Sequence, residues 1–233
     1  MNKPVCAVVG VGPGNGEAFA RRFAKEGYAV ALLARSAGLS TSLAAALPDA
    51  RAYTCDVSDA ESIGRAFAAI RSEMGDVEVV IYNAGSGVWG TVEEIKPADF
   101  EMAWRINALG GLLVAQQVIG PMKKAGKGSI VFVGATASRR GVAKTTVFAP
   151  AKAAQKSLAE SMARHLWPAG IHVSLIIVDG AVGTPGARER MSAKPDSFFI
   201  HPNAVASTAF HLTQQDRSAW SFEVEARPFG ESW

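Results

Sequence analysis

Cysteine, histidine and charged residues are scarce in this chain of 233 residues. Its two cysteines and four histidines show no spacing typical of zinc ligands, so we expect no structural metal. Charged residues make up 19% of the sequence and the net charge is only +3, which argues against nucleic acid or an anionic membrane as a partner. No apolar run is long enough to span a membrane, and none follows a charged segment as in a signal peptide. We therefore predict a cytoplasmic protein.

Short apolar segments alternate with helical segments along the chain. The predicted strands are Val5–Val9, Tyr28–Ala34, Arg51–Cys55, Val77–Tyr82, Ser129–Val133, Ile171–Val178 and Ser221–Ala226. The predicted helices are Glu17–Ala24, Leu39–Leu47, Asp59–Met74, Pro97–Lys124, Thr146–Trp167 and Asn203–Thr213. This alternation, without a repeat or a linker, predicts one α/β domain over residues 1–233, with a doubly wound (Rossmann-type) parallel sheet of about seven strands flanked by helices. A ligand crevice is expected at the carboxyl ends of the first, fourth and fifth strands.

A glycine-rich turn joins the first strand to the first helix. Four glycines fall within seven residues there, three of them with the spacing G-x-x-x-G-x-G. Such a turn directs bare backbone N–H groups and the positive end of the helix dipole at one point, and the missing side chains let a pyrophosphate approach. A loop that uses glycine only to turn is the alternative. We predict a nucleotide site formed by Gly10, Gly12, Gly14, Asn15 and Gly16.

Further short motifs follow other strands at the same predicted edge of the sheet. They are Cys55-Asp56-Val57, Tyr82-Asn83-Ala84-Gly85 and Asp179-Gly180-Ala181-Val182-Gly183-Thr184. Together with the glycine turn, this set resembles the short-chain dehydrogenase/reductase superfamily over essentially the whole chain. Taken singly, Asp56 also fits a helix cap and the Asn83 motif a plain turn. The family usually has proline where this chain has Asp179, which places an unexpected charge beside the nicotinamide.

The resemblance implies a role in cofactor binding for each of these motifs. It places Asp56 and Val57 at the adenine edge. It places Asn83, Ala84 and Gly85 beside the cofactor ribose. It also implies that Val182 and Thr184, after a turn at Gly180, meet the nicotinamide carboxamide.

The end of the second strand bears on which dinucleotide is bound. An acidic residue there would bind the ribose hydroxyls of NAD and repel a 2′-phosphate, but this chain has Arg35 and Ser36. The arginine fork can pair with a phosphate, and the serine adds a hydroxyl donor. We therefore predict NADP rather than NAD as the cofactor. A solvated arginine at a strand end is the alternative.

The catalytic motif of the resemblance is matched only in part. Lys152 fits the family's lysine, and Asn107 matches the helix asparagine that supports a water relay near it. Phe148, four residues before Lys152, stands where the family has its tyrosine acid, and Ala135 stands in the serine position. The chain thus resembles a divergent branch with Phe-x-x-x-Lys in place of Tyr-x-x-x-Lys. Lys152 remains available to bind the ribose hydroxyls.

A phenyl ring cannot replace a phenol as a proton donor, so another group or an acid-independent substrate is needed. The candidate donors are Thr136, Ser138, Thr145, Thr146, Tyr82, Asp179 and Lys152 itself. Hydroxyls after a strand more often bond loop backbone, and Tyr82 is more typical of a core residue. An iminium ion or a conjugated acceptor would need little help from an acid. Ala135, Phe148 and Trp89 are predicted to line a pocket for a flat hydrophobic substrate.

Three functions remain open at this point. The first is an oxidoreductase that binds NADP(H) and transfers hydride to a small hydrophobic substrate. The second is a catalytically inactive NADP(H)-binding sensor or assembly subunit, and the third a lyase or isomerase that uses Lys152 or Asp179 as a base. The resemblance also implies a homodimer or homotetramer built on the Pro97–Lys124 and Thr146–Trp167 helices.

Overall fold

The computed structural model describes residues 3–230, over which strands and helices alternate. The strands are β1 (Val5–Val9), β2 (Ala29–Ala34), β3 (Ala50–Thr54), β4 (Val77–Tyr82), β5 (Gly128–Ala135), β6 (Ile171–Val178), β7 (Ala181–Val182), β8 (Phe199–Ile200) and β9 (Glu223–Ala226). The helices are α1 (Asn15–Lys25), α2 (Ala37–Ala46), α3 (Ala60–Glu73), α4 (Pro97–Trp104), α5 (Gly110–Ala125), α6 (Phe148–Leu166), α7 (Pro185–Arg190) and α8 (Pro202–Thr213).

Seven of the strands form one sheet, in the order β3-β2-β1-β4-β5-β6-β9, and every neighbouring pair is parallel. The chain moves outward from β1 to β3, returns to the middle at β4 and moves outward on the other side. The order therefore reverses between β1 and β4, which opens a crevice at their carboxyl ends. The predicted doubly wound sheet of seven strands is confirmed.

The uninterrupted apolar strands are explained by burial on both faces of the sheet. Alternate residues of β1 belong to different core clusters, with Val5 on one face and Cys6 on the other. Phe19 and Phe23 of α1 pack on the Cys6 face, and both are fully buried. Phe67 of α3 packs on the opposite face. Because helices cover both faces, β1 carries no polar face, whereas the edge strands β3 and β9 keep polar side chains such as Arg51 and Glu223.

The predicted helix Pro97–Lys124 is one continuous rod with an irregularity in the middle. Helices α4 and α5 are joined by a π-helical turn, Arg105–Leu109, which contains Asn107. Gly110 N donates to Arg105 O, five residues back, as a π turn requires. Such turns widen the helix locally and are frequent at functional sites. The irregularity places Asn107 against α6, as described below.

The Gly- and Pro-interrupted segment between β6 and α8 contains more regular structure than its sequence indicates. It holds α7 and a small parallel sheet of β7 and β8, two residues each. Strands of that length carry no periodicity, so they were not predicted. Within residues 3–230, no helix has both the length and the apolar character that a membrane crossing requires. The same residues contain no cluster of three or more metal-ligating side chains.

Candidate functional site

The loop after β1 is shaped by contacts that only glycine permits. Gly10 has a φ of +92°, which L side chains rarely tolerate, and a Cβ there would lie 2.5 Å from Ala84 N. Gly10 N donates to Leu33 O at 2.9 Å. Asn83 Nδ2 donates to Gly10 O at 2.8 Å. The loop is thereby held between the ends of β2 and β4.

Helix α1 begins directly in this loop. Its cap residue, Gly14, makes no side-chain capping bond, and Glu17 N already donates to Gly12 O at 3.1 Å, so the N–H groups offered to an anion are those of Asn15 and Gly16. A Cβ at Gly16 would lie 2.8 Å from Gly10 O, whereas one at Gly12 would have no heavy atom within 4 Å. Asn15 Oδ1 is buried and lacks a hydrogen-bond partner among the described residues. The open space at Gly12 and the start of α1 suit the phosphates of a dinucleotide. The unpaired Asn15 Oδ1 suits one of its donor groups.

A cavity of about 290 Å³ opens beside the loop and unites most of the residues predicted to hold the adenosine half of a cofactor. The predicted residues that line it are Gly10, Gly12, Arg35, Ser36, Asp56, Val57, Asn83, Ala84 and Gly85. Val11, Ala34, Cys55 and Ile106, which were not among the predicted binding residues, complete its wall. These four residues lie at strand ends or in helical turns beside the predicted motifs. No sequence pattern indicates that they line a cavity.

Arg35 and Asp56 give this cavity its charges. Asp56 Oδ1 accepts hydrogen bonds from Ser58 N at 2.9 Å and from Ser58 Oγ at 2.7 Å. Those bonds, and then the charge of Arg35, lower the pKa of Asp56, although partial burial opposes them. The cap of α3 is the neighbouring Asp59, which accepts from Glu61 N. Asp56 is therefore an ionised cavity residue and not the helix cap.

A second cavity of about 590 Å³ adjoins the first and shares Asn83 and Gly85 with it. The other predicted residues in its lining are Asn15, Trp89, Ala135, Phe148, Lys152, Gly180 and Val182. The residues that sequence reasoning did not assign to a pocket are Ser86, Gly87, Val133, Gly134, Thr136, Ala137, Arg140, Val142, Thr145 and Val178. The two cavities together follow the carboxyl edge of the sheet, as a bound dinucleotide and its substrate would.

The far end of the second cavity is aromatic and carries no negative charge. The rings of Trp89 and Phe148 lie 5.6 Å apart, centroid to centroid, tilted by 34°. Val142 and Ala135 extend this apolar wall. Arg140 and Lys152 are the charged residues that line the cavity, and no carboxylate among the described residues does so. The surface suits a flat apolar molecule that is neutral or anionic.

Lys152 is buried at the junction of the two halves of the site. Its Nζ donates to Val133 O at 2.9 Å and to Gln155 Oε1 at 3.1 Å. Burial lowers the pKa of Lys152 to about 7, so the neutral amine and the ammonium are comparably populated near neutrality. The Phe148 ring centroid lies 6.0 Å from Nζ. A phenol in place of that ring would sit near a cationic or half-cationic amine.

Asn107 lies behind Lys152 and does not line either cavity. It is fully buried, and its Nδ2 donates to Ala103 O at 2.9 Å and to Ser86 O at 3.4 Å. Its backbone carbonyl accepts from Gln155 Nε2 at 3.0 Å. Asn107 is therefore linked to Lys152 through Gln155, a residue that the sequence analysis did not identify. Gln155 follows Lys152 by three residues on one helix face, which is the available signal.

Three of the candidate replacement donors, Thr136, Asp179 and Tyr82, are already engaged in other contacts. Asp179 accepts a short bond from the Thr136 hydroxyl, and its Oδ2 lies 3.4 Å from Arg227 Nη1. The Tyr82 hydroxyl is buried and donates to Ile106 O. Asp179 is therefore a buried ion-pair partner outside both cavities, and its charge does not face the cavity.

Two further candidate hydroxyls, those of Ser138 and Thr145, bond to loop backbone. Ser138 Oγ accepts from Ala135 N at 3.1 Å. Thr145 Oγ1 donates to Val142 O at 2.9 Å and accepts from Val142 N at 2.8 Å. This is the role that hydroxyls after a strand ordinarily have.

Thr184 lies beside the glycine loop and is not part of either cavity lining. Its hydroxyl caps α7 by accepting from Ala187 N at 3.2 Å. A Cβ at Gly14, which has a φ of +106°, would lie 2.6 Å from Thr184 Cγ2. Gly14 and Gly16 likewise shape the loop from behind the cavity walls. Gly180 and Val182 of the same segment do face the second cavity.

The doubly wound sheet and the glycine loop at its switch point define a nucleotide-binding protein of the Rossmann class. A family model described as short chain dehydrogenase matches residues 4–195. The chain belongs to the short-chain dehydrogenase family, whose members are oxidoreductases.

Relatives and solved structures are similar along nearly the whole chain. Galactitol 2-dehydrogenase of Agrobacterium fabrum is 31% identical over 236 residues, covering 93% of this chain and 92% of that protein. A short-chain dehydrogenase from Rhodopseudomonas palustris has a crystal structure that covers 98% of this chain and 100% of its own, with a TM-score of 0.83 and 31% identity. A metagenomic short-chain oxidoreductase in complex with NADP covers 99% of both chains, with a TM-score of 0.83 and 25% identity.

Proposed function

We propose that this chain is an NADP(H)-dependent oxidoreductase that transfers hydride to a small hydrophobic substrate without a tyrosine acid. One observation carries this proposal: the cavity at the glycine loop continues into a second cavity where Lys152 is present but Phe148 and Ala135 carry no hydroxyl. The first part of the arrangement binds a hydride carrier. The second part offers a substrate no phenol, and the hydroxyls in its lining belong to Ser86, Thr136 and Thr145 rather than to positions 135 and 148.

The proposed cofactor site divides along the sheet edge. The N–H groups at the start of α1 would hold the pyrophosphate, and Gly12 leaves space for it. Asp56 and Val57 would flank the adenine, while Lys152 would bind the nicotinamide ribose hydroxyls. When bound, NADPH supplies the hydride. The residues of this chain would bind it and orient it toward the apolar end of the second cavity.

Arg35 supports NADP(H) over NAD(H), because its guanidinium lies at the end of β2 on the wall of the first cavity. We expect Arg35→Ala to weaken NADPH binding about 10- to 100-fold, the usual value of a charge-assisted bond pair, and to leave NADH binding unchanged. Calorimetric titration with both nucleotides measures this. Arg65→Ala, on an exposed part of α3, is the matched control. Equal losses for NADPH and NADH would show that Arg35 does not read the 2′-phosphate.

The lining of the second cavity narrows the substrate class. A cationic iminium ion would face Arg140 and the partly protonated Lys152 without a compensating carboxylate. A flat conjugated carbonyl suits the Trp89 and Phe148 rings and accepts hydride at carbon. Its enolate oxygen would lie in a positively charged cavity, and its proton can come from water. We therefore propose neutral conjugated carbonyl compounds as the substrates.

A screen of the purified protein for NADPH oxidation with ketones, enones and cyclic imines tests this proposal. We expect turnover with enones to exceed that with saturated ketones and with imines. Tight NADPH binding without turnover of any acceptor would instead favour the second candidate, an NADP(H)-binding sensor or assembly subunit. The observation that supports this second candidate is that Phe148 and Ala135 have no hydroxyl. Fast reduction of simple ketones would contradict an acid-free site.

A further inference from the structure

Gln155 joins the two matched members of the catalytic motif through one side chain. Its Oε1 accepts from Lys152 Nζ at 3.1 Å, and its Nε2 donates to Asn107 O at 3.0 Å. Gln155 is fully buried, as is Asn107, and Lys152 is 5% exposed. All three therefore form one solvent-excluded chain of bonds from α6 to the π-helical turn. The water relay that the family resemblance implies near Lys152 would need a water molecule where this amide joins Lys152 to Asn107.

The direction of the amide is fixed by its neighbours. If the Gln155 amide were turned over, its NH₂ would face the Lys152 amine and its oxygen would face the Asn107 carbonyl. The amide oxygen would then face another carbonyl oxygen with no proton between them, and the NH₂ would face a second donor whenever Lys152 is an ammonium; buried polar groups without partners are costly. A water molecule could reorient and pass a proton along, whereas this amide keeps one orientation. The Gln155 bridge, by which we mean its bonds to Lys152 Nζ and to Asn107 O, thus holds Lys152 but does not connect it to solvent.

The bond count at Lys152 shows what the bridge leaves free. Nζ has two acceptors among the described residues, Val133 O and Gln155 Oε1. A neutral amine has two N–H groups and a lone pair, and an ammonium has three N–H groups. One position on the nitrogen therefore remains. It is available on the side of Gly85 and the second cavity, where a Cβ at Gly85 would lie 3.6 Å from Nζ and 3.3 Å from Asn107 Oδ1, a buried acceptor without a partner among the described residues.

We propose that Gln155 is a positioning residue that takes the place of a bridging water between Lys152 and the Asn107 carbonyl and fixes the Lys152 amine toward the cavity. This extends the proposed function, because a site without a proton relay suits a substrate that needs no side-chain acid. The geometry itself does not depend on the identity of the cofactor. Gln155 can therefore be tested in the nucleotide-free protein.

The test compares Gln155→Glu with Gln155→Met by following the NMR titration of the Lys152 side chain in ¹³C-lysine-labelled protein. Glutamate keeps the acceptor and adds an opposite charge, which favours the ammonium, so the titration midpoint should rise by about one pH unit or more. Methionine fills similar space but offers no acceptor, so the midpoint should fall. Val173→Ala, which creates a cavity at a buried position of β6, is the control. It lowers the stability of the fold but should leave the titration midpoint of Lys152 unchanged.

The titration and the nucleotide-binding measurement can overturn the role of Gln155 and the proposed function independently of each other. Midpoints in both Gln155 variants equal to that of the wild type would overturn the positioning role, even if both variants lose stability. Should Gln155→Glu not fold, the fall in Gln155→Met alone decides. If the midpoints shift as expected but no nucleotide binds, the cofactor proposal fails and the bridge stands. If nucleotide binds, Gln155→Met should lose NADPH affinity at lower pH than the wild type, because less Lys152 is protonated.

Discussion

The double variant Phe148→Tyr with Ala135→Ser should reduce simple ketones at least about 100-fold faster than the wild-type chain. General acid catalysis by a positioned side chain contributes about 10²- to 10⁴-fold, and the wild-type cavity has no hydroxyl at either position. The phenol introduced by Phe148→Tyr would extend the ring that now lies 6.0 Å from Lys152 Nζ. The ammonium form of Lys152 would lower the pKa of that phenol, as an opposite charge stabilises the phenolate.

Steady-state NADPH oxidation with ketones measures this gain. Phe148→Tyr alone should provide most of it, because the phenol carries the proton, and Ala135→Ser alone should provide little. Phe148→Leu is the matched control, since it changes the ring without adding a hydroxyl. An unchanged ketone rate in the double variant, with the fold and NADPH binding intact, would show that position 148 does not face the reacting carbonyl.

Much of the fold could be predicted because buried strands appear in the sequence as runs of apolar residues. Strands β1 and β6 are apolar at almost every position because helices cover both faces, and their limits agree with the prediction. Helix α3 begins after Asp59, a side chain suited to a cap. No comparable sequence pattern indicates the π-helical turn within Pro97–Lys124 or the two-residue strands β7 and β8. They depend on tertiary contacts.

The candidate site divides in the same way. Gly10 and Gly12 of the glycine loop and the predicted residues after β2, β3 and β4 line one cavity, because parallel strands bring their carboxyl ends together. Asp179 could not be interpreted from sequence, because its partner Arg227 is 48 residues away along the chain. The role of Gln155 required the side-chain orientations of Lys152 and Asn107. Long-range polar pairing is the information that a single sequence lacks.

Gly12→Leu should abolish NADPH binding, a loss of about 100-fold or more, while leaving the melting temperature nearly unchanged. A Cβ at Gly12 meets no heavy atom within 4 Å, so the fold accepts a side chain that then fills the proposed pyrophosphate position. Gly10→Ala should behave differently and destabilise the fold, because its Cβ would lie 2.5 Å from Ala84 N. Gly64→Leu, also in open space but on α3, is the matched control and should bind normally.

Calorimetric titration of the wild-type chain and of Gly12→Leu with NADPH is the most direct test of the account. We expect saturable binding at one site per chain in the wild type and none in Gly12→Leu, with both proteins folded by circular dichroism. Absence of binding of NADPH, NADP⁺, NADH and NAD⁺ to the folded wild type, or undiminished NADPH binding by Gly12→Leu, would contradict a dinucleotide site at the amino-terminal loop.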